Sequence, residues 1–296
     1  MPSWSDLIDS INSNIQKDPD FIHKIRFKYL ENIHRITGRN VIAYYSSWLK
    51  SPEAPNLIIN ESDKNAFMNA VYSMDRTIGL DLILHTPGGD IAATESIVNY
   101  LTDIFNGNIR AIVPQISMSA GTMIAIACKE IIMGRQSSLG PIDPQMGGVA
   151  CQAVLDEFQQ AVKEVSSNPA ALGLWQVIIS KYHPTFLTEC HDSVVWSEKL
   201  AEQWLKKVNP SIDINKFKQI FINHKESYSH SRHFSKEVCR KAGLNIIDLE
   251  SNQELQEAVL SLHHCYMILT DSSPISKIVE NHIKKCYLQT ARKIKE

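Results

Sequence analysis

Between residues 80 and 133 the chain alternates apolar runs of strand length with amphipathic stretches. Leu80-Asp81-Leu82-Ile83-Leu84-His85 stops at the turn Pro87-Gly88-Gly89. From Ile91 to Phe105, the residues Ile97, Val98, Leu101, Ile104 and Phe105 share one helical stripe, and Asp90 precedes them as a ready N-cap. Residues 109–113 and 130–133 read as two further buried strands. The stretch between them opens a helix at Ser117 or Ser119 that is apolar nearly all round, from Met123 to Ala127. Strand–turn–helix units in series call for parallel pairing with crossover helices. The pattern therefore predicts an α/β fold: a mainly parallel sheet with βαβ crossovers and added helices, its strands at 41–46, 80–85, 109–113 and 130–133.

Around this centre the pattern is mostly helical. Phe21, Ile22, Ile25, Tyr29, Ile33 and Ile36 form a stripe that ends at Gly38. Asp63 is placed to cap a helix running to Met74; residues 51–60, with two prolines, and 134–148, with four glycines and two prolines, read as loops. Helices are predicted at 151–165, 175–181, 193–208, 215–224, 235–242 and 252–269, and the basic end, 270–296, is predicted to fray. The expected division is an N-terminal helical extension (1–37), a core (38–250) and a C-terminal helical tail (251–296).

Composition narrows the function. A net charge of −2 gives no electrostatic reason to bind nucleic acid. No apolar run reaches the length of a membrane span, and Met1 to Asp6 lacks the basic start and apolar core of a signal peptide. The six cysteines are scattered without a C-x-x-C pair, which fits reduced thiols in a cytoplasmic protein and implies neither disulfide nor metal. No G-x-G-x-x-G follows a strand, so no dinucleotide cofactor is expected.

The chemistry sits at two strand ends. Gly88 and Gly89 leave their backbone N–H groups uncovered by any Cβ, and Ser119 stands where the next strand hands over to a helix, followed by the small residues Ala120 and Gly121. A carbonyl between them would meet a nucleophile and two sets of amide donors, the elements of an oxyanion hole. A serine at a helix start is by itself commonly a cap; its pairing with two glycines one βαβ unit earlier is what points to catalysis.

The segments LDLILHTPGGDIAATESIVNYL (80–101), AIVPQISMSAGTMIAIACKEIIMG (111–134) and SSLGPIDPQ (137–145) resemble the serine dehydrogenase proteinase family, relatives of Clp protease and signal peptide peptidase with the Clp/crotonase-like fold. WQVIISKYHPTF (175–186) and SHSRHFSKEVCRKAGLNI (229–246) extend the resemblance to about residues 20–270. It implies a serine peptidase with Ser119 as nucleophile, with Gly88 or Gly89 and the amide of Ala120 as oxyanion donors, acting on peptide or protein substrates as a homo-oligomer.

The general base stays open. Asp143 holds the position of the Clp histidine, a departure from that triad. The signal peptide peptidase branch uses a lysine: Lys163 falls near that position, and Lys181 ends a mostly apolar helix where desolvation would lower its pKa. His230 lies in the loop matching the Clp acid, with Asp143 available to orient it, and His85 flanks the glycine turn. Lys181 and His230 stand level as the base, His85 next and Lys163 last. Two other functions use the same parts: a crotonase-like acyl-CoA enzyme, which needs no serine nucleophile, and a non-catalytic peptide-binding relative.

Overall fold

The computed structural model describes residues 4–50, 52, 54–223 and 228–291. The strands are β1 (Asn40–Ser46), β2 (Leu80–His85), β3 (Ile109–Val113), β4 (Ile116–Ser117), β5 (Glu130–Met133), β6 (Ser138–Leu139), β7 (Gln145–Met146), β8 (Val149–Ala150), β9 (Ile246–Asp248), β10 (Ile275–Asn281) and β11 (Cys286–Thr290). The α-helices are α1 (Trp4–Ile15), α2 (Phe21–Thr37), α3 (Ser62–Val71), α4 (Ile91–Phe105), α5 (Ala120–Ile126), α6 (Cys151–Ser167), α7 (Leu172–Ile179), α8 (Phe186–Val208), α9 (Ile214–Phe221), α10 (Lys236–Lys241) and α11 (Gln253–Ser272). The chain divides into two compact units, 1–139 with 233–296, and 140–232, which is not the division expected at 37 and 250.

The first unit is built on a seven-stranded sheet in the order β11-β10-β1-β2-β3-β5-β9. From β1 to β9 the pairing is parallel, as the unbroken apolar runs of strands buried on both faces require. Side chains alternate between two helical layers. Val41, Ala43, Tyr45, Ile83, Ile112 and Ile278 face the layer that includes Leu30 and Ile33 of α2 and Leu262 and Tyr266 of α11. Tyr44 points the other way and stacks on Phe67 of α3. Gly38 ends α2 in the left-handed conformation, and Asp90 caps α4 by accepting the Ala93 N–H at 2.7 Å.

The last part of the chain differs from expectation. Residues 275–290 do not fray but form β10, antiparallel to β1, and β11, antiparallel to β10, while residues 292–296 lie outside the described residues. Charged residues hid β10, because both are neutralised inside the protein. Glu280 pairs with Arg26 of α2 on one face, and Lys277 pairs with Asp63 of α3 on the other. Asp63 is accordingly no helix cap: it is fully buried one residue inside α3, and Glu61 holds the N-cap position.

The second unit carries α6 to α9 and the hairpin β7–β8, whose two-residue turn Gly147-Gly148 has both φ angles positive, as a tight hairpin turn with the strands' own twist demands. Its core joins Cys151, Val154, Cys190 and Val194, with Phe158, Tyr182 and Phe186 packed against them. Helix α8 starts at Phe186, earlier than the expected 193, and α7 ends at Ile179 rather than 181. Helix α9 ends at Phe221, and His224 of the predicted 215–224 lies outside the described residues. No helix among the described residues is long and apolar enough to cross a membrane.

Candidate functional site

The first unit holds the serine and the glycine turn. Strand β2 ends at His85; Thr86 then bridges to the β4 segment, donating its N–H to Ile116 C=O (3.3 Å) and accepting the Met118 N–H (3.0 Å). These bonds bring residues 86–89 alongside 116–120. Ser119, partly exposed, occupies the N-cap position of α5 at φ 49°, ψ −117°, a conformation that L-residues rarely adopt and that costs about 1–3 kcal/mol. Its side chain makes no capping bond.

Only glycine fits beside it. A Cβ on Gly88 (φ 102°) would lie 2.6 Å from Ser119 Cβ and 2.9 Å from the Ala120 nitrogen. A Cβ on Gly121 would lie 2.4 Å from Thr86 Cγ2. Gly88 donates its N–H to Thr86 Oγ1 at 3.1 Å. Gly89 bridges to Ile59 on its other side: the Ile59 N–H donates to Gly88 C=O (2.8 Å) and the Asp90 N–H to Ile59 C=O (2.9 Å). In a parallel bridge of this kind the middle residue's own N–H points away from the partner. Among the described residues, neither the Gly89 nor the Ala120 N–H donates to another backbone group.

This geometry changes what a side chain at Gly89 does. Its Cβ would enter not an open carbonyl site but the Ile59 backbone, 2.3 Å from both Ile59 N and O. Gly89→Val is therefore expected to destabilise the fold by about 3 kcal/mol or more, seen as a shifted denaturation midpoint, rather than to leave a well-folded protein. Ser117 also differs from expectation. It caps nothing; it is fully buried in β4, and its hydroxyl has no hydrogen-bond partner among the described residues. Ser117→Ala should then be neutral to stabilising, by up to about 1 kcal/mol in urea unfolding, since it removes a buried unsatisfied group. A loss of about 1 kcal/mol or more would show a partner for that hydroxyl.

The second unit holds an ordered histidine–carboxylate pair. The loop at Asp143 is pinned through its neighbours: the Ile142 N–H donates to Phe221 C=O (2.7 Å), Ser197 Oγ donates to Ile142 C=O (3.0 Å), and the Cys151 N–H donates to Pro144 C=O (3.0 Å). Asp143, buried to 1% exposure, receives His230 Nδ1 at 2.7 Å on one oxygen and Gln145 Nε2 at 3.0 Å on the other. A carboxylate on Nδ1 fixes the tautomer with its proton there and leaves Nε2 as the acceptor. The His230 ring is 27% exposed.

By description the matching family model is the ClpP-like SDH-type serine proteinase, aligned over residues 47–196. The chain belongs to this family. The matched span contains Gly88, Gly89, Ser119, Asp143, Lys163 and Lys181, and ends before His230. Two uncharacterized proteins of Methanocaldococcus jannaschii are similar to it. One is 30% identical over 152 residues, covering 50% of this chain and 51% of the relative. The other is 35% identical over 102 residues, covering 34% and 35%. The chain thus matches about half the length of the first and a third of the second.

The remaining candidates fall elsewhere. Lys181 is exposed beyond the end of α7, beside a cavity of about 580 Å³ lined by Met146, Val149, Tyr182 and Phe186, so the desolvation expected for it is not present. Lys163 is exposed on α6. His85 is fully buried in the α11 layer, its ring 5.1 Å from Tyr45, 4.4 Å from Trp48 and 5.2 Å from His263, with Nε2 at 3.2 Å from Gln115 Oε1. The parallel register explains this, since Tyr45 and His85 are partners and share a face. Burial lowers the His85 pKa from 6.5 to about 4.

A histidine kept neutral in the fold stabilises it fully above the unfolded pKa. That stabilisation is lost as pH falls from about 6.5 to about 4, because the unfolded chain takes up the proton first. The loss is on the order of 3 kcal/mol. Urea midpoints measured across that range should fall for the wild type and fall less for His85→Phe; parallel curves would place the titration in other groups. Sequence reasoning passes over Thr86 and Gln145, although both lie inside the motifs quoted above: Thr86 carries a side-chain bond to the glycine turn and Gln145 one to Asp143.

Proposed function

We propose that the chain is a serine peptidase that cleaves peptide bonds through an acyl-enzyme on Ser119, with His230 as general base and Asp143 as its orienting carboxylate. The observation that carries the reading is the Ser119 backbone, held at φ 49° and ψ −117° directly against Gly88. Strain of that kind at a strand-to-helix turn presents a hydroxyl outward, as in other serine hydrolases. In the proposed reaction Ser119 Oγ attacks the carbonyl carbon while His230 Nε2 takes its proton. Asp143 holds Nδ1–H and stabilises the imidazolium. The N–H groups of Gly89 and Ala120 receive the oxyanion; Gly88 is less suited, since its N–H already serves Thr86. His230 then protonates the leaving amine, and water releases the acyl group by the reverse roles.

Family membership supports a serine proteinase over the alternatives. The exposed positions of Lys181 and Lys163 favour His230 over a lysine base. Five of the six cysteines are buried and all six are free thiols, which fits the proposed cytoplasmic setting; self-association is part of the same proposal. The test is to present the purified protein separately with an unfolded protein and with an acyl-CoA. Release of peptides, lost in Ser119→Ala, is expected. Turnover of the thioester without proteolysis would move the chain to the crotonase-like reading, and binding of peptide without turnover of either would leave a non-catalytic relative.

A further inference from the structure

The oxyanion turn is supported from behind by a buried ionic cluster. Lys277 Nζ donates to both oxygens of Asp63 at 2.8 Å and to the Ile58 C=O at 2.8 Å. Asp63 Oδ2 also accepts the Tyr44 hydroxyl (2.8 Å) and the Asn60 N–H (3.0 Å). The cluster thus holds the carbonyl before Ile59 and the amide after it. The N–H and C=O of Ile59 itself face the opposite way and bond Gly88 and Asp90. Residues 58–60 form a short strip around the Ile59 bridge, with one edge tied to Lys277 and Asp63 and the other edge tied to the glycine turn. The Tyr44 hydroxyl adds a second route, interacting with Thr86, whose hydroxyl accepts the Gly88 N–H.

A buried ion pair is a poor device for stability alone, since apolar residues of similar volume commonly do as well. We propose that Lys277, Asp63 and Tyr44 are positioning residues for the Gly88–Gly89 turn, holding it through the 58–60 strip at the spacing that oxyanion stabilisation requires. The inference rests on the proposed role of that turn. It also gives strand β10, far from the glycine turn in sequence, a part in the chemistry, although no residue of β10 is a catalytic residue.

The test compares wild type with the double variant Lys277→Met/Asp63→Leu, which replaces the pair by apolar groups, and with Tyr44→Phe. Two readouts are taken: amide hydrogen exchange at Ile59 and Asp90, and kcat and KM separately on a peptide substrate. The double variant should exchange faster at both amides and lose about 10–100-fold in kcat, with KM within about twofold, because small misplacements of this kind act on the transition state. Tyr44→Phe should show the same pattern at about threefold to tenfold. Unchanged exchange, or a kcat loss no larger than the loss of folded protein, overturns the proposal. Should the double variant not fold, Tyr44→Phe alone decides it in the same way. The exchange readout needs no activity, so it separates this inference from the peptidase assignment: a Ser119→Ala protein that still hydrolyses peptide refutes the latter while leaving the exchange result to judge the former.

Discussion

Ser119→Ala is expected to lose peptide hydrolysis by about four to six orders of magnitude while keeping its fold. The loss is large because in the proposed mechanism the hydroxyl forms the covalent bond; the residual rate would be what the amides of Gly89 and Ala120 contribute without a nucleophile. The fold is spared because the hydroxyl makes no capping bond, so its removal breaks no hydrogen bond at the start of α5. Alanine retains the Cβ that meets the Gly88 backbone and remains in the same rare conformation, so the thermal midpoint should stay within a few degrees of the wild type. A variant that unfolds would report strain rather than chemistry. Ser119→Gly answers that case, since glycine relaxes the positive φ and should be inactive and at least as stable.

Asp143→Asn and His230→Ala are expected to cost about three to four orders of magnitude in kcat each. The asparagine amide would fill the same space as the carboxylate. It would, however, present an NH2 group to one of two partners that now donate, His230 Nδ1 and Gln145 Nε2, and so would favour the wrong imidazole tautomer. Groups that act as one unit do not add, so combining either substitution with Ser119→Ala should cost little beyond Ser119→Ala alone. Rates measured for the singles and doubles check this. Additive losses would mean that His230 and Ser119 contribute separately. Full activity in His230→Ala would return the role of base to Lys181, Lys163 or His85.

The parts of the protein that are legible in the sequence are those whose cause is local. The strands β1, β2, β3 and β5 are apolar runs bounded by turn residues, and a strand buried on both faces can hardly be written otherwise. The Asp90 cap is likewise set by its next three residues. Strand β10 is illegible because its sense lies far away: Lys277 is neutralised by a residue 214 positions earlier and Glu280 by one 254 positions earlier. Read alone, those charges describe a solvated tail.

The site divides in the same way. Thr-Pro-Gly-Gly and Ser-Ala-Gly announce a close backbone approach, and the structure brings Gly88 against Ser119. Nothing local tells Gly88 from Gly89; that distinction depends on Ile59, in a loop with no motif of its own. The His230–Asp143 pair spans 87 positions and comes into view only through the family register. Lys181 misleads because a mostly apolar helix, Leu172–Ile179, reads as a buried one, whereas Trp175 is its one buried residue. Ser117 misleads because its place just before α5 looks like a cap, while the bridge to Thr86 draws it into a strand.

The most direct test of the central claim is to label the purified wild-type protein with a fluorophosphonate, digest it and locate the adduct by mass spectrometry. One adduct is expected, on Ser119, formed in parallel with loss of peptidase activity and absent from Ser119→Ala. An adduct on Ser117 or on another residue, or an active protein that carries none, would contradict the claim.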